Sequence, residues 1–302
     1  MTLDLAHLRT WIGRHETISD IVAPWPIVAL AALLDRDDPF PTHDTLLPPG
    51  GHWLYFRPAA RQSDLGSDGH PRRGGFLPPV PLPRRMWAGG RIEFLRPIRI
   101  GDTVTRVSRI ADVALKEGHA GPLVFVRVDH EISGPEGPAL KEEHDIVYRE
   151  VPAPGVAGES PRSLKMPPPA ATPAPAPAAP EEAIWRRTVT PDPVMLFRYS
   201  ALTFNGHRIH YDQPYATGVE GYPGLVVHGP LIATLLMDLI RRERPQARLS
   251  RFAYRAVSPL FDTAPFTVEG IPGAGGRSAK VWAVTPAGAL AMTGDATFAR
   301  ED

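Results

Sequence analysis

The segment HGPLIATLLMDLIRRERP, residues 228–245, predicts a long buried helix. Apolar side chains recur at helical spacing and cover most of the helix surface; they are Leu231, Ile232, Leu235, Leu236, Leu239 and Ile240. Pro230 suits the first turn, where the N–H that proline lacks would have no partner anyway. Arginines close the segment, where cations suit the helix dipole, and Pro245 stops the helix. A helix this apolar needs a partner that covers it on most sides.

Four strand-like segments follow this helix. They alternate partly between apolar and polar residues and are separated by Gly and Pro; they span 251–261, 264–272, 278–286 and 289–301. This pattern predicts an antiparallel meander. Because it comes directly after the apolar helix, we expect the sheet to wrap around that helix.

The first part of the chain repeats the same order of elements. An apolar helix is predicted within 20–38, and strands are predicted at 91–100, 102–118, 122–133 and 139–151. The opening RIEFLRPIRIGDT (91–103) corresponds loosely to RFAYRAVSPLFDT (251–263). We therefore predict an α+β fold of two antiparallel sheets, each wrapped around a long apolar helix, with the two units side by side and their sheets joined.

Between these parts, residues 152–182 are dominated by Pro, Ala and Gly. Such a segment buries little apolar surface and predicts an extended, semi-rigid linker. The predicted domains are therefore an N-terminal unit, 1–151, and a C-terminal unit, 183–302.

The composition of the 302-residue chain narrows the functional classes. Thirty-three basic residues balance thirty-three acidic ones, so no basic field predicts binding to nucleic acid or to an anionic membrane. The chain has no cysteine, which excludes disulfides, thiolate metal sites and cysteine nucleophiles. The N-terminus lacks a signal-peptide pattern, and the longest apolar stretch, residues 27–34, is too short to span a bilayer. We expect a cytoplasmic protein.

Polar groups concentrate in FNGHRIHYD, residues 204–212. His207 and His210 are three positions apart, so on a helix they could hold a metal with a third ligand such as His228. However, the Asn-Gly pair and the Gln-Pro pair after this stretch are turn signals. They predict a strand end that runs into a loop, and we expect no metal.

A second interpretation of the same stretch is acid–base chemistry. Histidine exchanges protons near neutral pH, and the predicted helix that begins at Gly229 presents unpaired N–H groups suited to an oxyanion. A reaction through a thioester enolate requires a group that moves the proton and a donor that holds the carbonyl oxygen. His210 and Gly229 would supply these two groups. The alternative is that His210 is a loop histidine with ordinary hydrogen bonds and Gly229 only a helix cap. Spacing alone favours this alternative.

The order FRYSALTFNGHRIHYD followed by GYPGLVVHGPL resembles the hydratase motif of the MaoC-like hot-dog proteins. The chain resembles most closely the branch with the mitochondrial-type 3-hydroxyacyl-thioester dehydratases and the bacterial mesaconyl-CoA and itaconyl-CoA hydratases. The segment LGSDGHPRRGGFLPPVPLPRRMWAGG (65–90) is also similar to that branch. The resemblance extends over nearly the whole chain and implies a double hot-dog fold.

The resemblance also implies roles for particular residues. The motif histidine falls on His210, which would move the proton, and the motif His-Gly pair falls on His228 and Gly229, whose N–H would polarise the thioester carbonyl. The motif aspartate is replaced by Asn205, which cannot act as a base and would hold the water through its amide. His207 could contact the far side of the thioester or simply pair with the loop backbone. The N-terminal half lacks the motif and would be non-catalytic, shaping the acyl pocket.

Arg84, Arg85 and Trp87 lie close together in PRRMWAGG (83–90). Arginine suits bidentate recognition of carboxylate or phosphate, so these residues are candidate contacts for a dicarboxylic acyl group or for the phosphates of CoA. A solvated arginine pair is the alternative.

The resulting functional hypothesis is a hydro-lyase that reversibly hydrates an α,β-unsaturated acyl thioester. The substrate would be an acyl-CoA, such as mesaconyl- or itaconyl-CoA, and no cofactor is expected. Three alternatives stay open: a 3-hydroxyacyl dehydratase that acts on acyl carrier protein, a non-catalytic acyl-CoA-binding protein, and a thioesterase. Association into a homo-oligomer is also left open.

Overall fold

The protein is described from a computed structural model, which covers residues 3–57, 59–118, 121–150, 177–180 and 182–300. Within these residues the helices are α1 (Leu5–Arg9), α2 (Pro24–Leu33), α3 (Pro193–Thr203) and α4 (Gly229–Glu243). The strands are β1 (His15–Ile21), β2 (Arg84–Phe94), β3 (Thr103–Gly118), β4 (Gly121–Gly134), β5 (Gly137–Arg149), β6 (Trp185–Val189), β7 (Leu249–Ala256), β8 (Phe266–Pro272), β9 (Ser278–Val284) and β10 (Leu290–Phe298).

All ten of these strands belong to one antiparallel sheet, in the order β1-β3-β4-β5-β2-β7-β10-β9-β8-β6. The first five come from the N-terminal half and the last five from the C-terminal half. The halves meet at β2 and β7, where Ile92 lies opposite Phe252. These are the two strands whose sequences correspond in the predicted repeat, so the predicted α+β fold of two joined units is confirmed.

Helix α4 lies at the centre of the C-terminal half. All ten residues from Leu231 to Ile240 are buried, and the helix packs against β6, β8, β9 and β10. Each fully buried leucine or isoleucine contributes about 1.5–3 kcal/mol relative to an exposed one. Helix α2 of the N-terminal half packs against α3 and buries Ile27, Leu30 and Leu33. No helix among the described residues is long and apolar enough to cross a membrane.

One carboxylate joins the two helices electrostatically. Asp238 of α4, with a side chain only 2% exposed, pairs with Arg36 and Arg187 at 3.0 Å and with Arg242 at 2.7 Å. Arg187 and Arg242 also donate to the carbonyl of Leu34, at 2.8 and 2.7 Å. The end of α2 is therefore capped by guanidinium groups that the carboxylate on α4 holds in place.

The structure differs from the sequence-based expectation in four elements. Helix α1 and strands β1 and β6 were not predicted. The segment before FNGHRIHYD was expected to be a strand and is helix α3, which begins with Asp192 as its cap and Pro193 in the first turn. The predicted linker, 152–182, lies outside the described residues except for 177–180 and 182, so the domain boundaries stay a prediction.

We expect Asp238→Ala to lower the free energy of unfolding by about 1.5–3 kcal/mol, because three arginines, none more than 30% exposed, lose their charge-assisted hydrogen bonds to this buried carboxylate. Asp38→Ala is the matched control, since Asp38 also pairs with two arginines but is 25% exposed; we expect a loss of no more than about 1 kcal/mol there. Chemical denaturation of both variants measures the difference. Equal losses would show that burial of Asp238 does not matter.

Candidate active site

The motif FNGHRIHYD begins at the end of helix α3. Phe204 takes a left-handed conformation (φ 51°, ψ 36°) and ends the helix. Asn205 then forms a turn in which its Oδ1 accepts the N–H of His207 at 3.0 Å. A 3-10 turn, Arg208–His210, follows. The predicted turn character of this stretch is confirmed, whereas the strand expected before it is wrong because the chain there is helical.

His210 is buried, and one hydrogen bond fixes its tautomer. Its Nδ1 lies 2.7 Å from the carbonyl oxygen of Val226. A carbonyl oxygen can only accept, so Nδ1 carries the proton and Nε2 keeps a free lone pair. Burial lowers the pKa of His210 to about 4. At neutral pH this imidazole is therefore uncharged and able to accept a proton.

His228 packs directly on His210. The two rings are stacked with centroids 3.6 Å apart, and Nε2 of His228 lies 2.8 Å from Oγ of Ser200 on α3. Burial holds the pKa of His228 well below its ordinary value. His228 precedes α4 as its cap residue, so the imidazole pair lies beside the positive end of the most deeply buried helix.

Gly229 is the first residue of α4, and its amide has no acceptor within the helix. A Cβ at this position would lie 3.0 Å from the ring of Trp87, so glycine allows β2 to approach the start of the helix. The structure thus places His210 against His228, next to Gly229 at the start of α4. The predicted proximity of His210 and Gly229 agrees with this arrangement.

A loop from the N-terminal half completes the surroundings of the motif. The amide of Arg208 donates to the carbonyl of Asp68 at 2.9 Å. His70 lies with its ring centroid 4.1 Å from that of His207, and His207 lies 5.4 Å from His210. His70 and Asp68 were not predicted as site residues. The only signal was the general similarity of 65–90 to the family, because their positions in the chain do not reveal which loop they face.

The three predicted contacts on β2 have different surroundings. Arg84 is buried, forms an ion pair with Glu220 at 3.0 Å and lies over the ring of Tyr222. Arg85 forms no ion pair with any carboxylate of the described residues. Burial lowers the pKa of both His70 and His207, and the charge of Arg85 contributes to the lowering. Arg85 is therefore the better candidate for an anionic ligand, because the charge of Arg84 is already compensated.

Trp87 lies among polar groups that have no partner. The indole Nε1, the Nε2 of His144 and the hydroxyl of Tyr254 are buried and form no hydrogen bond within the described part of the chain. The Trp87 ring is 5.3 Å from His144 and 4.7 Å from Tyr254. Buried polar atoms without a partner are candidates for contacts with a ligand, and these lie near the joint between β2 and β7, with Trp87 next to Gly229.

Asp68, His70 and His207 have side-chain donor atoms that lie within 4.8 Å of one another. A set of this kind could hold a cation. The direct hydrogen bond between Nδ1 of His70 and Oδ2 of Asp68, 3.1 Å long, accounts for the arrangement without one. The expectation of no metal stays a prediction.

We expect stability to fall as the pH drops below about 6.5. Burial lowers the pKa of several histidines from the ordinary 6.5: to about 4 for His130 and His210, to about 3 for His144, and in the same direction for His70, His207 and His228. Between pH 6.5 and 4 the unfolded chain binds protons that the folded chain does not, so the stability present above pH 6.5 is lost as the pH falls.

Thermal unfolding between pH 7.5 and 4.5 measures this effect. The depressed carboxylates, such as Glu142 with a pKa of about 2, titrate below that window in the folded state. His210→Gln should reduce the slope, since glutamine does not titrate. A melting temperature that stays constant from pH 7 to pH 5 would contradict the expectation.

Comparison with known proteins shows the family to which the chain belongs. A family model described as hydroxyacyl-thioester dehydratase type 2 matches residues 50–262. A mesaconyl-C(4)-CoA hydratase of Chloroflexus aurantiacus is 48% identical over 283 residues, which is 94% of this chain and 95% of that protein.

Two solved structures show the same fold. A MaoC-like dehydratase from Phytophthora capsici has a TM-score of 0.65 at 16% identity, covering 99% of this chain and 100% of that one. A Mycobacterium tuberculosis protein described as a double hot-dog fold has a TM-score of 0.52 at 15% identity, covering 95% and 96%. The double hot-dog fold and the resemblance identified from the motif are confirmed, and the chain belongs to the hydroxyacyl-thioester dehydratase type 2 family.

Proposed function

We propose that this protein reversibly adds water across the α,β double bond of a small branched dicarboxylic acyl-CoA, with mesaconyl-C(4)-CoA as the first candidate. Hydration and dehydration of acyl thioesters is the reaction class of its family. The choice of acyl group is supported by the relative of 48% identity, which is named for that substrate, and by the uncompensated charge of Arg85.

The observation that carries the proposal is the tautomer of His210. Its Nδ1–H is bound to the Val226 carbonyl, so Nε2 is a proton acceptor in a buried site beside the N-terminus of α4. A base and an N–H donor so close together suit a reaction in which a proton moves while charge develops on a carbonyl oxygen.

The reaction follows from these two groups. Nε2 of His210 accepts a proton from water while the water oxygen bonds to C3 of the substrate. The C2–C3 π electrons move toward the thioester, and the amide of Gly229 stabilises the enolate oxygen that forms. The imidazolium then returns its proton to C2, which completes the hydration and restores His210. In the reverse direction the same groups remove water.

Arg85 supports a substrate with a second carboxylate. A guanidinium binds a carboxylate through two parallel hydrogen bonds, and the charge of Arg85 lies near the imidazoles of His70 and His207. The free carboxylate of a dicarboxylic acyl group would reach it while the thioester lies at Gly229. Arg84 is held by Glu220 and would fix the geometry of β2 instead.

Three further expectations stay predictions: acyl carrier protein as an alternative carrier, association into a homo-oligomer, and a cytoplasmic location. Carrier-bound substrates belong in the activity assays below. The mass of the protein in solution reports on association.

His210→Ala should lower the rate of enoyl-thioester hydration by at least about 10²-fold, as expected for loss of a general base. The assay follows the enoyl-thioester absorbance of crotonyl-, mesaconyl- and itaconyl-CoA, and of the same acyl groups on carrier protein. His15→Ala, at an exposed histidine of β1, is the control for loss of an imidazole elsewhere. Unchanged turnover in the folded His210 variant would refute the assignment.

Arg85→Gln should lower kcat/KM for mesaconyl-CoA by about 10- to 100-fold, since a hydrogen bond to a charged group contributes about 1.5–3 kcal/mol. Crotonyl-CoA, which lacks the second carboxylate, should be hydrated as before. Arg84→Gln is the matched control and should lower stability without changing this preference. If Arg85→Gln weakens both substrates equally, the arginine contacts CoA rather than the acyl carboxylate.

A further inference from the structure

We propose that His70, held by Asp68, is a second catalytic histidine, which the N-terminal half contributes to bind the attacking water together with His210. The inference rests on the proposed hydration reaction and deepens it. It assigns a direct role in the chemistry to the half of the protein that lacks the family motif.

The position of His70 is fixed by contacts between backbones. Gly69 (φ +87°) lies so close to Gly206 that a Cβ on Gly69 would meet the Gly206 carbonyl oxygen at 1.9 Å. Arg208 reinforces this contact, because its amide donates to the Asp68 carbonyl at 2.9 Å and its side chain donates to the Ser67 carbonyl at 3.0 Å. The residues on the N-terminal side of His70 are thus bound directly to the motif.

Asp68 determines which nitrogen of His70 is free. One carboxylate oxygen accepts the backbone N–H of His70 at 3.0 Å, and the other lies 3.1 Å from Nδ1. A carboxylate with its pKa lowered by these bonds is ionised and only accepts, so Nδ1 carries the proton. The lone pair of His70 is therefore on Nε2, as it is in His210.

Both imidazoles are neighbours of His207. The His207 ring is 4.1 Å from that of His70 and 5.4 Å from that of His210. The pKa of His210 is lowered by burial and, in addition, by His70, so the two groups are within electrostatic reach of each other. His70 and His210, each with a free lone pair on Nε2, are therefore neighbours of the same residue of the motif.

A water molecule that attacks C3 needs acceptors for both of its O–H groups. Asn205 suits this role less well than an imidazole with a free Nε2, since one lone pair of its Oδ1 accepts the N–H of His207 and its amide NH₂ can only donate. We assign one O–H to Nε2 of His210, which takes that proton as the C3–O bond forms. The other O–H points to Nε2 of His70 and remains intact as the hydroxyl of the product.

The matched variants are His70→Asn and His70→Gln. Asparagine keeps a donor near Asp68 but lacks any atom at the place of Nε2, whereas glutamine puts an oxygen acceptor there. We expect His70→Asn to lower kcat by about 10²-fold with little change in KM, and His70→Gln to recover most of the loss. If His70 only anchored the loop, asparagine would serve at least as well as glutamine.

Asp68→Asn tests the tautomer separately. An amide NH₂ next to Nδ1 moves the imidazole proton to Nε2, which converts the acceptor into a donor. We expect a loss of kcat similar to that of His70→Asn. Unfolding temperatures should stay close to that of the unmodified protein, and His15→Gln should have full activity.

Long-range ¹⁵N–¹H spectra of the histidine rings give a readout that does not depend on turnover. We expect the Nδ1–H tautomer for His70, assigned by its absence in His70→Gln, and the Nε2–H tautomer in Asp68→Asn. A working enzyme in which His70 carries its proton on Nε2, or in which His70→Asn has full activity, would overturn this role alone. A protein that hydrates no thioester would overturn the proposed function and this role with it.

Metal dependence is the remaining outcome. If a chelator abolishes hydration and Zn²⁺ restores it in the unmodified protein, then Asp68, His70 and His207 form a cation site, and the water-binding role is overturned. We expect chelators to have no effect.

Discussion

The candidate active site depends on a contact between two glycines that allows no side chain on either. Gly69 of the N-terminal half and Gly206 of the C-terminal half meet through their backbones, and a Cβ on either would lie 1.9 or 2.8 Å from the other's carbonyl oxygen. Because of this contact, the imidazoles of His70 and His207 lie close together, with ring centroids 4.1 Å apart and the ring planes tilted by 40°. The loop of the motif is thus positioned by the opposite half of the molecule as well as by the helix from which it emerges.

Burial of the histidines explains the electrostatics of the site. Burial makes imidazolium costly, so the histidines around the motif stay neutral, and fixed acceptors decide where each proton sits. The Val226 carbonyl does this for His210, and the Asp68 carboxylate does it for His70. The same burial that gives neutral bases at physiological pH also makes the fold sensitive to acid, since protonation of these rings would require charge in the interior.

The sequence predicted what local patterns can specify. Helix α4 and eight of the ten strands described follow from hydrophobic periodicity and from the Gly and Pro residues between them, and the pairing of His210 with Gly229 follows from the motif. Strands β1 and β6 are the two edges of the sheet; their short, mostly polar sequences have little apolar alternation to detect. The turn signals after α3 suggest the end of a strand. The helix signals are Asp192 as a cap and Pro193 in the first turn, and they were not recognised.

His70 could not be placed by such patterns, since its role depends on a long-range contact between loops. The two halves have the same order of elements but elongate different connections. Residues 34–83 separate α2 from β2, whereas only residues 244–248 separate α4 from β7.

Conversely, residues 190–228 lie between β6 and α4 and contain the motif, whereas only residues 22–23 lie between β1 and α2. One half supplies the motif and the start of the buried helix, and the other supplies the long loop that covers them. A single unit of this fold would have one of these features without the other. The proposed chemistry therefore depends on the joined sheet, because the sheet holds the two elongated connections in register across one candidate site.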